Sequence, residues 1–305
     1  MNKALVVLAG PTAVGKTSCG IEVASHFGTE IISADSRQIY RETTIGTAVP
    51  SAKDLARIRH HFIQCVSVKE YYNASIFENQ VLERLEELYM EQDLILMVGG
   101  SGLYIDAVCE GIDDLPTVDP DLRKELKERL SKEGLDALTR QLRQLDPLSY
   151  ARVDLNNHMR VLKALEISIQ TGRPYSSFLS NTNKKRPFHI IRIALDLERE
   201  LLYRRINERV DQMMEAGLLE EVKQLQHLRG YTAMKTVGYR ELFQVLDGSL
   251  SLDEGVELIK RNTRKFARKQ LTWFRKEQDY QWFSPEKRRE LVQWLEKTIA
   301  TYRNS

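Results

Sequence analysis

Apolar positions along the chain change their period several times, and each change predicts an element. Residues 4–9, Ala-Leu-Val-Val-Leu-Ala, form an unbroken apolar run of the kind a strand buried on both faces requires. Residues 17–27 contain no proline and carry Ile21, Ala24 and Phe27 near helical spacing, so a helix follows at once. Residues 30–34 predict a second strand, and residues 60–66 a further one. Residues 76–90 read as an amphipathic helix with Val81, Leu82, Leu85 and Leu88 on one side. Residues 94–98 are a buried strand, ended by Gly99-Gly100-Ser101-Gly102. Strands alternating with helices in this way predict an α/β fold with a parallel sheet.

From about residue 113 the pattern changes. Residues 113–120 are a turn-rich crossing with two prolines, and 121–130, 134–145 and 158–171 predict charged helices. Residues 176–185 are polar and read as a loop, with a basic end at Asn181-Thr182-Asn183-Lys184-Lys185-Arg186. Strand character returns at 188–195. The simplest organisation is a helical insertion, residues 113–187, within an α/β core of residues 1–112 and 188–305. The remainder reads as mostly helical: a helix from 201 towards 214, a segment at 235–240 lying between helices, and a last long helix over 252–277. Lys260, Arg261, Arg264, Lys265, Arg268, Lys269, Arg275 and Lys276 follow one another there with no acid among residues 260–276. At helical spacing they make a broad basic stripe, with Phe266, Trp273 and Phe274 expected to face the body. A charge run is usually a solvated face, but a single-signed one in a chain of net charge +2 favours a track for a polyanion.

Composition narrows the class without naming the chemistry. Hydrophobic residues make up 42% and charged residues 29% of the 305, as in an ordinary soluble protein. The three cysteines, Cys19, Cys65 and Cys109, are far apart, which argues against a disulfide scaffold or zinc ribbon and suits a reducing compartment. No run approaches the length of a membrane span, so a cytosolic protein without membrane partners is expected. The adjacent His60 and His61 would point to opposite faces of a strand and so do not predict a shared metal.

The strongest chemical signal is Gly10-Pro11-Thr12-Ala13-Val14-Gly15-Lys16-Thr17, which fits G-x-x-x-x-G-K-[ST] between a strand and a helix. Backbone N–H groups and the helix N-terminus converge there on an anion, Lys16 adds a point charge, and the Thr17 hydroxyl can hold Mg²⁺. The implied core is P-loop NTPase-like. Asp35 follows the second strand, so it faces the same crevice in a parallel sheet, either as a functional carboxylate or as a turn or cap residue. Ser101 has the same two readings. No Asp or Glu closes the 94–98 strand, which speaks against motor-type ATP hydrolysis.

Taken with Ala34-Asp35-Ser36-Arg37-Gln38-Ile39-Tyr40, Ile45-Gly46-Thr47-Ala48, Val98-Gly99-Gly100-Ser101-Gly102-Leu103-Tyr104, Leu115-Pro116, Arg160 with Ala164-Leu165-Glu166, Val237-Gly238-Tyr239-Arg240, and Thr263-Arg264-Lys265-Phe266-Ala267-Arg268-Lys269-Gln270 with Thr272-Trp273-Phe274-Arg275, the phosphate loop resembles that of bacterial tRNA dimethylallyltransferases over nearly the whole chain. The resemblance implies transfer of the dimethylallyl group from dimethylallyl diphosphate to N6 of the tRNA adenosine just 3′ of the anticodon. It implies Asp35 as general base, with Ser101 and Arg123 at the reacting centre, and residues 10–17 with Arg205 on the diphosphate. Contacts to tRNA would come from Asp35, Ser36, Arg37, Gln38, Ser101, Arg123, Met159, Arg160, Lys163, Lys235, Thr236, Val237, Gly238, Tyr239 and Arg240. Ser101 stands where the family usually has Thr. Met159-Arg160 and Lys163 stand where it commonly has Gln-Arg and a second Arg. A monomer that grips the anticodon stem-loop with its insertion and its basic helix is the implied assembly. A small-molecule kinase, a prenyltransferase for free adenine nucleotides and a non-enzymatic RNA-binding protein are the rival readings.

Overall fold

The computed structural model describes residues 3–113, 115–179 and 184–303. The chain divides into two compact units, Met1–Glu110 with Lys185–Ser305, and Gly111–Lys184.

The first unit opens with β1 (Ala4–Ala9), every residue of which is buried, and passes through the phosphate loop into α1 (Lys16–Phe27). β2 (Ile31–Ala34), α2 (Ala52–Arg57), β3 (His60–His61), α3 (Ala74–Leu88), β4 (Leu94–Gly99) and α4 (Gly102–Glu110) complete its first segment. In the second unit, α5 (Pro120–Glu133), α6 (Leu135–Leu145), α7 (Pro147–Arg152) and α8 (His158–Thr171) pack on Leu126, Leu138, Leu142, Val161, Leu162 and Leu165. Burying each such aliphatic side chain stabilises by about 1.5–3 kcal/mol, so this unit has a core of its own. The chain then returns to the first unit with β5 (His189–Leu195), α9 (Arg199–Glu215), α10 (Leu218–Gln224), α11 (Tyr239–Leu246), α12 (Leu252–Phe274), β6 (Gln281–Phe283) and α13 (Arg288–Arg303).

The sheet has six strands, all parallel, in the order β3-β2-β4-β1-β5-β6. β1 lies between β4 and β5, pairing Ala4–Ala9 with Leu94–Gly99 on one side and with 189–194 on the other. The loops after β1, β2, β4 and β5 therefore leave the same edge, where a parallel sheet holds its ligand.

Several expectations change. The strand expected over 60–66 stops after His61, because Phe62 and Gln64 adopt φ of +63° and +49°, a left-handed backbone that strands do not tolerate. His61 Nε2 lies 2.6 Å from Glu30 Oε2 and His60 Nδ1 lies 2.7 Å from the Ile58 carbonyl, so the two rings serve separate structural contacts. The last long helix ends at Phe274, and it is not the last element: β6 and α13 follow, with Leu291 and Leu295 buried against the sheet core. A three-residue strand carries too little periodicity to be read from sequence. Of the aromatic residues expected to face the body, only Phe274 is buried; Phe266 and Trp273 are 44% and 39% exposed. The polar segment 176–185 begins with a 3₁₀ turn, Tyr175–Phe178. Its residues 180–183, and Asp114 of the turn-rich crossing, lie outside the described residues.

Candidate active site

The phosphate loop is a turn held open by unusual backbone angles. Gly15 has φ +106° and Ala13 φ +64°, which turn successive N–H groups to one side; a side chain is disfavoured at the first, and the strain is tolerated at the second. Lys16 Nζ donates to the carbonyls of Gly10 at 2.9 Å and Pro11 at 2.7 Å, so the lysine bridges its own loop. Burial lowers its pKa to about 8, with Asp35 acting in the opposite direction and Arg209 in the same one. The Thr17 hydroxyl, in the first turn of α1, has no hydrogen-bond partner among the described residues and lines the same chamber.

Two further loops complete that edge. Asp35 Oδ1 accepts from the backbone N–H groups of Arg37 (2.9 Å) and Gln38 (3.3 Å), so the carboxylate does close a turn. Its other oxygen has no hydrogen bond among the described residues. The turn reading of Asp35 therefore holds for Oδ1. The Ser101 hydroxyl does not cap its own helix. It accepts from the Ser36 N–H at 2.9 Å and donates to Ser36 Oγ at 3.0 Å, tying the loop after β4 to the loop after β2. Gln38 Nε2 donates to the carbonyls of Thr47 and Ala48, and Glu221 accepts from the N–H groups of Thr44, Ile45 and Gly46. The 44–48 loop is thus pinned from both sides.

These loops and the helices after β5 enclose a chamber of about 660 Å³. Thr12, Ala13 and Gly15–Thr17 line it together with Asp35, Arg37, Gln38, Ser101 and residues 235–238. Arg205 lines it too, its guanidinium 3.5 Å from the Val14 carbonyl. Gly10, Pro11 and Val14 shape the loop from beneath without lining the chamber: Pro11 and Val14 are buried, and Gly10 packs against Leu195. Tyr239 is fully buried with its hydroxyl on Glu221, and Arg240 pairs with Glu241, so residues 239–240 open α11 rather than lying between helices. Arg123, Met159, Arg160 and Lys163 belong to the second unit. There Arg123 makes a bidentate pair with the buried Glu166, at 2.8 Å for each bond, and Met159 is 57% exposed at the start of α8.

Two residues that the sequence reading gave no role also belong to this site. Arg209, one helical turn beyond Arg205 on α9, reaches Thr12 Oγ1 at 3.4 Å. Burial works against its charge, with Asp35 offsetting. Its i,i+4 spacing from Arg205 was the available signal. Gln270 of α12 is nearly buried. Its Oε1 accepts from the Thr12 N–H at 2.9 Å and its Nε2 donates to the Gly100 carbonyl at 2.9 Å. A Cβ on Gly100 would stand 2.3 Å from that nitrogen, so any side chain there would displace the Gln270 amide.

The basic residues of α12 and of Arg275-Lys276 just after it include two groups. Lys260 pairs with Asp211 and Glu257, Arg264 bonds Asn207 and Arg275 pairs with Asp196. Lys265, Arg268, Lys269, Thr272 and Lys276 instead surround Trp273 in a shallow open groove. Among the described residues no three His, Cys, Asp or Glu side chains are grouped to hold a metal, and no helix is long and apolar enough to cross a membrane.

Comparison with known proteins follows this geometry. The IPP transferase family matches residues 38–277. The chain is 48% identical over 295 residues to tRNA dimethylallyltransferase 1 of Phocaeicola vulgatus, covering 97% of this chain and 98% of that one. It is 51% identical over 282 residues to tRNA dimethylallyltransferase 2 of Porphyromonas gingivalis, covering 92% and 94%. Among solved structures, the full-length tRNA isopentenylpyrophosphate transferase of Bacillus halodurans superposes with a TM-score of 0.73 at 34% identity, covering 100% of this chain and 99% of that one. A eukaryotic dimethylallyltransferase, solved acting on tRNA, gives a TM-score of 0.73 at 27% identity over 89% of this chain and 70% of that one.

Proposed function

The chain belongs to the IPP transferase family, and from that premise we propose how its chamber works as a tRNA dimethylallyltransferase. The enzyme transfers the dimethylallyl group of dimethylallyl diphosphate to N6 of the adenosine just 3′ of the anticodon, and diphosphate leaves. The observation that carries this reading is a single chamber lined both by an anion cradle and by a half-engaged carboxylate, Asp35.

The exocyclic amine of adenine is a weak nucleophile, because its lone pair is delocalised into the ring. Asp35 Oδ1 is committed to its turn, which fixes the carboxylate plane and leaves Oδ2 to accept an N6 proton. The N6 lone pair forms the bond to C1 of the donor, the C1–O bond breaks, and the electron pair leaves on diphosphate. The N–H groups of residues 13–17, Lys16, Arg205 and Arg209 stabilise the charge gathering on that leaving group. Ser101 orients the Asp35 loop through Ser36 and keeps an oxygen beside the reacting centre.

The residues fit a Mg²⁺ ion carried with the substrate. Among the described residues Thr17 Oγ1 has no hydrogen-bond partner and no three His, Cys, Asp or Glu side chains are grouped, so the ion would take its other ligands from diphosphate and water. When bound, it would neutralise part of the leaving-group charge.

The acceptor base must be unstacked to enter, which is least costly in a single-stranded loop, so the anticodon stem-loop is the substrate element. Lys265, Arg268, Lys269 and Lys276 around Trp273 suit its phosphates and an exposed base. Arg123, Met159, Arg160, Lys163, residues 235–238 and Arg240 are its further contacts, whereas the fully buried Tyr239 supports that segment from within. Free thiols and a tRNA acceptor suit a monomer working in the cytosol. The decisive experiment incubates the protein with labelled dimethylallyl diphosphate and undermodified tRNA, then analyses the nucleosides by mass. Dimethylallyl adenosine at one position per tRNA is expected. ATP cleavage onto a small acceptor, with unaltered RNA, would sink the reading.

A further inference from the structure

On the α9 and α12 side, the chamber carries an apolar stripe beside the polar Glu208, Gln212 and Thr263, and that stripe suits the donor's hydrocarbon. Helices α9 and α12 run antiparallel there. Arg264 Nη1 donates to Asn207 Oδ1 at 2.6 Å, and four residues along each helix in opposite directions Lys260 Nζ meets Asp211 Oδ1 at 2.8 Å. That register sets Met213 level with Leu258, within one residue of Ile259.

On α9 two stripes lie side by side. Arg205 and Arg209 form a cationic one; Ile206, Val210 and Met213 form an apolar one at i, i+4 and i+7, and all five line the chamber. Ile206, Val210 and Ile259 are buried, so this wall is fixed by packing, while Met213 is only partly buried. A diphosphate ester of a short hydrocarbon needs that pairing of a charged stripe and an apolar one. From Arg209 to Met213 is four residues, about 6 Å of helix, whereas a five-carbon branched tail reaches about 5 Å and a ten-carbon tail about twice that.

We infer that Met213, within one residue of the level of Ile259, is the chain-length stop that restricts the donor to five carbons. The inference rests on the transferase reading above and adds to it a residue that selects the substrate. The full chain is titrated calorimetrically with three probes: inorganic diphosphate, dimethylallyl diphosphate and geranyl diphosphate. In Met213→Ala the ratio of the geranyl to the dimethylallyl Kd is expected to fall by about tenfold or more, the scale at which an apolar pocket discriminates by size. Geranyl adenosine should then appear in tRNA, formed by the same bond exchange, with the N6 proton passing to Asp35 and diphosphate leaving. Met213→Trp should weaken dimethylallyl diphosphate by about tenfold or more while inorganic diphosphate binds as before. Met213→Leu should keep the wild-type ratio.

An unchanged Kd ratio in Met213→Ala together with an unchanged dimethylallyl diphosphate Kd in Met213→Trp would overturn the stop. Loss of inorganic diphosphate binding in Met213→Ala would also overturn it, because the side chain would then be supporting the head rather than the tail. A wild-type protein that modifies no tRNA would instead sink the transferase reading itself.

Discussion

Two parts of the chamber, its anion cradle and its α9 and α12 wall, are made in different ways. The cradle is a backbone structure: eight consecutive residues, two of them at positive φ near its middle, with a lysine folded back onto its own carbonyls. The α9 and α12 wall is a side-chain structure, assembled from helical faces almost two hundred residues downstream. A cradle made of N–H groups is encoded in one short string and resists substitution outside it. A wall made of side chains is encoded at scattered positions and can be retuned one residue at a time.

Removing the one side-chain charge that the cradle itself supplies should have the largest effect. Lys16→Ala is expected to lower kcat/KM for dimethylallyl transfer by about a thousandfold or more, while tRNA affinity in filter binding is retained. Asp35→Asn keeps the Oδ1 acceptor of its turn but removes the base, so kcat should fall by about a hundredfold to a thousandfold with KM for tRNA little changed. Near-normal turnover would remove Asp35 from the chemistry.

Gln270 is the joint between the two constructions, and Gln270→Leu tests whether they are coupled. It strands the Thr12 N–H and the Gly100 carbonyl, so stability should drop by about 2 kcal/mol in denaturant titration, with about a tenfold loss of kcat/KM. A wild-type kcat/KM would mean that the cradle stands without α12.

The burial of Lys16 predicts two pH responses of opposite sign. Its pKa is about 8 in the folded protein against 10.5 ordinarily, so between those values the folded chain binds fewer protons than the unfolded one and ligand-free stability rises with pH. Over the same window the lysine loses its charge, and inorganic diphosphate affinity should fall by up to about tenfold per pH unit above 8, a limb that Lys16→Arg should flatten. The smallest effect belongs to the outer face of α12. Arg268→Ala and Lys269→Ala should each cost only severalfold in tRNA affinity and lower the slope of log K against log salt by about one.

The same division explains what could be read from sequence alone. The parallel sheet was legible because β1, β4 and β5 are long apolar runs, and the cradle because its residues are contiguous. Asp35 was legible by position, at the carboxyl end of a predicted strand. Arg209 and Gln270 were not assigned roles, since each acquires its function only when a helix packs across the loop after β1. Phe266 was misjudged for a related reason: helical periodicity shows which residues share a face, but not whether that face meets packed core or an open chamber. Phe62 and Gln64 broke a predicted strand through backbone angles that no side-chain pattern announces.

The strand order also bears on synthesis. β1 leaves the ribosome first, yet one of its two neighbours, β5, is not translated until residue 195, and Gln270 emerges later still. The helical unit between, with its own core, can fold on emergence while the first strand still has an open flank. Chaperone dependence during translation should therefore concentrate on the nascent sheet, and chains released by a premature stop before residue 189 should be soluble only in their helical portion.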